Sequence, residues 1–367
     1  MREHKFFKHI PSANRVILLG GGMLYAKLFS FCKGNGFEVI AITSKRHLAA
    51  PADSRRTLGE FLAQEQIRYH SLNILNEQRL KRIAGNMDRS LAITLGAPWK
   101  ISKSLIEKVF ADKIFNCHGT RLPTYRGGAM YSWNILRGNR LGLCLLQRLN
   151  ETDTGEIVSF EEFVYPPSCR VPFDYEATYT EKNVEFLGKF LLRARGGPVE
   201  YSPVGQPEYL SSFFPRLSSK VNGWISWEWT LEDVERFICA FDEPYPGALT
   251  TVGGQTVRLK EVVAQQNDGR NHPYQNGLVY RNNGRWLMVS CGEGELIVHK
   301  VLDGQNRNIV GEIKAGERFV TPGSRLESAK GSAHFSPDGQ TLTGRSDPLI
   351  RFAGGPNGNR ARQRQSG

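Results

Sequence analysis

From Val16 to Asn116 the chain repeats one unit: a short apolar run, a turn, then a stretch with helical spacing. The apolar runs are Val16–Leu19, Glu38–Thr43, Leu91–Leu95 and Lys113–Asn116. Helical patterns lie at Met23–Cys32 and near 57–65, 76–86 and 102–110. Strands separated by helices must run parallel, because the crossover carries the chain back to its starting edge. The segment therefore reads as a parallel α/β sheet, whose ligands belong beyond the carboxyl ends of its strands. Gly20 and Gly22 satisfy G-x-G, but the third glycine position holds Tyr25 and the second strand runs into Ser44-Lys45, with no acid for a ribose. A dinucleotide is not expected there; the glycines read as a tight turn.

The rest of the composition removes other classes. At 367 residues the chain has room for about two domains. Its six cysteines (Cys32, Cys117, Cys144, Cys169, Cys239, Cys291) lie far apart without a C-x-x-C pair, and the eight histidines form no ligand cluster. No metal is expected, and the thiols read as free in a reducing compartment. No apolar stretch approaches the ~20 residues of a membrane span, so the expectation is a cytoplasmic protein without membrane contact. The formal charge of +12 sits largely at the ends, with +3 in residues 1–15 and +4 in residues 328–367. The body keeps about +5, an ordinary surface balance that argues against a nucleic-acid partner.

Two strand ends carry candidate chemistry. In "ITLGAPW" the path Leu95-Gly96-Ala97-Pro98 leaves a strand irregularly, with backbone groups available to a flat heterocycle. In "FNCHGTRLPTYRGG", Asn116 and His118 are two residues apart and share a face if the strand continues, while Cys117 turns to the core. Taken singly, each of these residues has an adequate structural role, and so does the turn that holds Asp153 in "LNETDTGEIV" between the apolar stretches Leu141–Gln147 and Ile157–Phe163. The ordered set is more specific: Asn-x-His at 116–118, Leu-Pro at 122–123, Tyr-Arg-Gly at 125–127 and Asp-Thr-Gly at 153–155. This arrangement resembles the folate-dependent formyltransferases, over roughly residues 15 to 325.

The resemblance implies a Rossmann-like catalytic domain and a formyl group passed from N10-formyltetrahydrofolate, as co-substrate, to an amine. It makes Asn116, His118 and Asp153 the catalytic trio and Leu95, Gly96, Ala97 and Pro98 the loop that holds the pterin, and it puts Tyr125, Arg126 and Gly127 toward the substrate. The chemistry suits these residue types. An amide N–H can stabilise the oxyanion of a tetrahedral intermediate, and an imidazole with an ordinary pKa of ~6.5 can carry a proton from the amine toward N10. A carboxylate can orient that imidazole.

Further on, a helix is expected from Thr230, with Asp233 in a capping position. Trp224, Trp227 and Trp229 read as packing. From Gly247 short apolar runs (Val257–Val263, Leu278–Tyr280, Trp286–Ser290, Leu296–Leu302) alternate with Gly/Asn turns, which argues a small OB-like β-barrel. The expected organisation is a catalytic domain over 1–212, a linker with a helix over 213–246, the barrel over 247–327 and a flexible basic tail over 328–367. Tyr125-Arg126-Gly127-Gly128 with Ser132-Trp133, and "FFPRLSSKVNGWISWEW", look most like the sugar-nucleotide N-formyltransferases. The expected acceptor is then an amino-sugar nucleotide formylated for surface-polysaccharide (lipopolysaccharide) biosynthesis, and a homodimer is compatible with it. Methionyl-tRNA formylation and hydrolysis of the folate donor are the alternatives.

Overall fold

The computed structural model describes residues 7–150, 154–267 and 269–331. Its centre is a seven-stranded sheet in the order Tyr69–Ser71, Glu38–Thr43, Arg15–Gly20, Ser90–Leu95, Ile114–His118, Leu141–Arg148, Ile157–Val164. The first five strands are parallel, as the alternation requires. The last two are antiparallel to their neighbours, so the sheet is mixed where the sequence pointed to a parallel one. The reason lies in the connection: the residues between Arg148 and Ile157 are too few for a helical crossover, and a short link can only join antiparallel strands.

Period-two alternation sorts the apolar side chains onto two faces. Val16, Leu18, Leu91, Ile93, Phe115 and Cys117 pack into one buried cluster with the helix Met23–Gly34 and the 25-residue helix Pro172–Gly196. Ile17, Leu19, Ala92 and Ile114 pack on the other side with Leu80, Ile106 and Phe110, from the region of helices Glu77–Ala84 and Lys103–Lys108. With both faces covered, the strand Ser90–Leu95 is buried at all six positions.

From the strand Arg15–Gly20 the chain first builds outward to Tyr69–Ser71, then returns to lay Ser90–Leu95 on the opposite side. The connections diverge between these two strands, which makes their carboxyl ends the switch point where an open α/β sheet takes its ligand. Gly20 shows how tightly the two strands meet. Its φ is +135° and a Cβ there would fall 2.0 Å from the Leu95 carbonyl oxygen, so only glycine fits.

The second half begins with the helix Leu231–Ala240, whose N-cap Thr230 accepts a hydrogen bond from the Asp233 N–H. It leads to a five-stranded antiparallel sheet ordered Ala248–Val252, Gln255–Gln266, Gly294–Leu302, Leu287–Cys291, Val279–Asn282. The expected barrel is not closed by strand pairing. Instead the segment 316–320 reaches both edges, bridging Leu278 through Arg318 and Thr251 through Val320. Trp227 stacks on Phe319 and donates its indole N–H to the Thr250 hydroxyl, and Trp229 packs on Phe237.

The two halves are pinned together. Arg170 donates to Glu235 and to the Val262 carbonyl, and Ser132 donates to the Ala240 carbonyl. Within the stretch expected as linker, Phe213-Phe214 pairs with Arg126-Gly127. A helix, Gly323–Gly331, crosses the expected start of the tail, and Asn222 donates to its Ala329 carbonyl.

Candidate active site

The strand Ile114–His118 is interior, flanked by Ser90–Leu95 on one side and Leu141–Arg148 on the other. It stays extended through His118, so Asn116 and His118 share a face and Cys117 takes the opposite one. In register, Asn116 sits between Thr94 and Gln147. The Thr94 hydroxyl donates to Asn116 Oδ1 at 2.8 Å. That bond occupies the amide's oxygen and fixes which end of the side chain is the donor.

Cys117 is a packing residue. It is buried, its thiol bonded to Asn183 Oδ1 at 3.1 Å and within 3.4 Å of the Tyr179 hydroxyl. Burial pushes the thiol's pKa up to about 12, so it is not a thiolate nucleophile at neutral pH.

His118 lines a cavity of about 420 Å³ at the switch point, and Cys117 also borders it, whereas Asn116 is not among its lining residues. Gly21, Leu95 and Gly96 form part of its wall. Gly96 turns the chain with φ +58°, and its backbone is hydrogen-bonded to His47. That imidazole is buried against Gly21, where an added Cβ would come within 2.5 Å of its ring. Burial, with the Arg46 charge next to it, lowers its pKa to about 4 and keeps it neutral. Ala97 and Pro98 continue the loop outside the cavity wall, and Trp99 anchors its far end by donating to the Leu72 carbonyl.

The three residues expected near substrate separate. Gly127 lines the cavity with φ +107°, where a Cβ would fall 2.1 Å from the Phe214 carbonyl oxygen. Arg126 is paired with Glu208 at 2.8 Å and its side chain is 12% exposed. Tyr125 packs on Phe214 beneath the Arg137 guanidinium. Asp153 lies outside the described residues.

Arg46, Arg216, Glu176, Tyr131, Tyr179 and Tyr245 also line the cavity, and sequence reading did not single them out. Arg46 alone had a usable signal, since it follows the carboxyl end of the strand Glu38–Thr43. Tyr131 sits on the nearby helix Met130–Leu136, and the others arrive from segments far along the chain. Glu176 is partly buried, and desolvation raises its pKa to about 7. Among the described residues no group of three or more His, Cys, Asp or Glu could hold a metal ion, and no helix is long and apolar enough to cross a membrane.

Comparison with known proteins bears on the fold. Residues 218–316 match the family described as formyl transferase, C-terminal domain. The methionyl-tRNA formyltransferase of Acetivibrio thermocellus is 28% identical over 208 residues, 55% of this chain and 64% of that protein. An N-formyltransferase from Helicobacter canadensis, solved with folinic acid and dTDP-3-aminofucose, superposes with a TM-score of 0.59 at 17% identity, covering 79% of this chain and 99% of that one. WlaRD, a sugar 3N-formyl transferase solved in the presence of dTDP and 5-N-formyl-THF, gives a TM-score of 0.58 at 18% identity over 78% of this chain and 97% of the other. At these identities the solved structures speak for the fold. Residues 218–316 thus match the formyl transferase C-terminal domain, and the chain as a whole is similar in fold to solved N-formyltransferases.

Proposed function

We propose that this protein transfers a formyl group from N10-formyltetrahydrofolate to the primary amine of an amino-sugar nucleotide. One observation carries the formyl transfer: His118, at the carboxyl end of an interior strand, lines one cavity with Leu95 and Gly96 at the switch point, and Asn116 stands two residues before it on the same extended strand. The loop Leu95–Pro98 would hold the pterin through backbone groups. Asn116, its oxygen engaged by Thr94, presents its N–H to the oxyanion that forms when the amine attacks the formyl carbon. His118 accepts the amine proton and passes it to the departing N10, and Asp153 is assigned to orient the imidazole. No step needs a metal.

Two features favour a nucleotide-bearing acceptor. The H. canadensis and WlaRD proteins were solved with a dTDP-sugar and with dTDP. Arg46 and Arg216 both line the cavity, and arginine is the residue type suited to phosphate oxygens. The methionyl-tRNA formyltransferases among its relatives keep the tRNA acceptor as the second reading. The deciding assay offers dTDP-amino sugars and methionyl-tRNA with the formyl donor at increasing salt. Formylation of a sugar nucleotide with a shallow salt slope is expected, because few phosphates are engaged. Steep salt dependence with only methionyl-tRNA formylated would reverse the choice of acceptor, and formate released without an amine would make the protein a hydrolase.

A further inference from the structure

We propose that Glu176 receives the acceptor's primary ammonium in the cavity and takes its first proton, delivering a neutral amine to His118. The inference rests on the formyl-transfer reading and deepens it.

A partly buried carboxyl loses solvation and is normally compensated by hydrogen bonds or a cation. Among the described residues Glu176 has neither a hydrogen bond nor an ion pair. It projects from the second turn of the helix Pro172–Gly196 into the cavity that His118 lines. Its Oε1 lies 3.5 Å from where a Cβ on Gly22 would be, beside the N-terminal end of the helix Met23–Gly34. The other titratable groups around the cavity are Tyr131 and Tyr245, which feel its charge, together with Tyr179, Cys117, Arg46, Arg216 and His118. None of these supplies the compensation that the carboxyl lacks; an incoming ammonium would.

The reaction leaves a proton unassigned. A primary amine reaches the site largely as R–NH3+ and must become R–NH2 before its lone pair can attack. His118 handles only the second proton, the one released once the C–N bond has formed. The first transfer, R–NH3+ plus carboxylate giving R–NH2 plus carboxylic acid, is balanced, and the acid returns its proton to solvent after the formamide leaves. A carboxyl raised to about 7 by burial is better matched to an ammonium than an ordinary glutamate.

The test compares Glu176→Gln, Glu176→Asp and the parent, using whichever of dTDP-3-aminofucose and methionyl-tRNA is formylated. In Glu176→Gln, kcat/KM for the acceptor should fall about tenfold or more near pH ~7.5 and recover toward the parent by pH ~9.5, where the amine arrives neutral. Glu176→Asp should restore part of the loss, and tetrahydrofolate binding should be unchanged. A carboxyl that merely caps the neighbouring helix would instead cost stability and depress the rate equally at every pH. Glu176→Gln at parental kcat/KM, or a loss independent of pH, overturns the proposal.

If neither acceptor is formylated, the functional reading fails. Glu176 is then decided by esterification with a diazo ester, read by peptide mass. Protection by glucosamine but not by glucose upholds the ammonium site; equal labelling refutes it.

Discussion

At the scale of single residues, the strand Ile114–His118 sorts its side chains by alternation, while both Cys117 and His118 reach the wall of the same cavity. Asn116 and His118 face one way and Cys117 the other, and the consequences can be measured separately. Thr94→Val keeps shape but removes the hydroxyl that fixes Asn116, so kcat should drop by about tenfold with the fold intact, the scale of one neutral hydrogen bond. An unchanged kcat would show that the amide is held by other contacts. Cys117→Ala should do the reverse: about 1–2 kcal/mol lower stability in urea, from lost packing and an orphaned Asn183 oxygen, with kcat near parental. The parent thiol should also resist iodoacetamide at neutral pH, since burial holds it protonated. Glu176 gives a pH-dependent signature. Its folded-state pKa of about 7 lies above its ordinary value of 4.5, so the folded state binds more protons across that window and stability falls as pH rises through it. Unliganded Glu176→Gln should therefore melt above the parent at pH ~8 and lose that advantage below pH ~4.5. The strand end could be read from the sequence because alternation is local. Glu176, Arg216 and Tyr245 could not, because no spacing ties them to His118 and only the packing of distant segments brings them to it.

At the scale of elements, the parallel strands and their crossover helices were legible because each pattern is periodic over a few residues. Two kinds of element escaped. The three-residue strand Tyr69–Ser71 is too short and polar to show a period. The pair Leu141–Arg148 and Ile157–Val164 reads as apolar stretches, and its antiparallel pairing depends on a link whose meaning appears only beside a neighbouring strand. The helix Leu231–Ala240 was visible from its cap and its apolar stripe, and the cap can be tested. Thr230→Ala should cost about 1 kcal/mol in urea unfolding without touching kcat. No loss of stability would mean that packing against the C-terminal sheet alone holds the helix start.

At the scale of the whole molecule, the two halves meet through specific polar contacts, with Arg170 spanning Glu235 and Val262 and Ser132 reaching Ala240. The segment 316–320 plays a comparable part within the C-terminal half. Val320 exchanges backbone hydrogen bonds with Thr251, at 2.8 and 2.9 Å, while Phe319 donates to Gly277 and Gly316 to Val279. An open five-stranded sheet offers two rows of unpaired amides and carbonyls to any other chain, and those rows template self-association. Here one short segment occupies part of both. Val320→Pro removes the N–H that bonds Thr251 and should release the edge at Ala248–Val252 while leaving the seven-stranded sheet alone. Light scattering that rises with protein concentration, at unchanged specific activity of the remaining soluble fraction, is the expected result; a monodisperse variant would mean that this edge is guarded elsewhere. The stretch of chain just before the helix Gly323–Gly331 thus acts as a guard against aggregation, keeping an exposed sheet from recruiting its own kind.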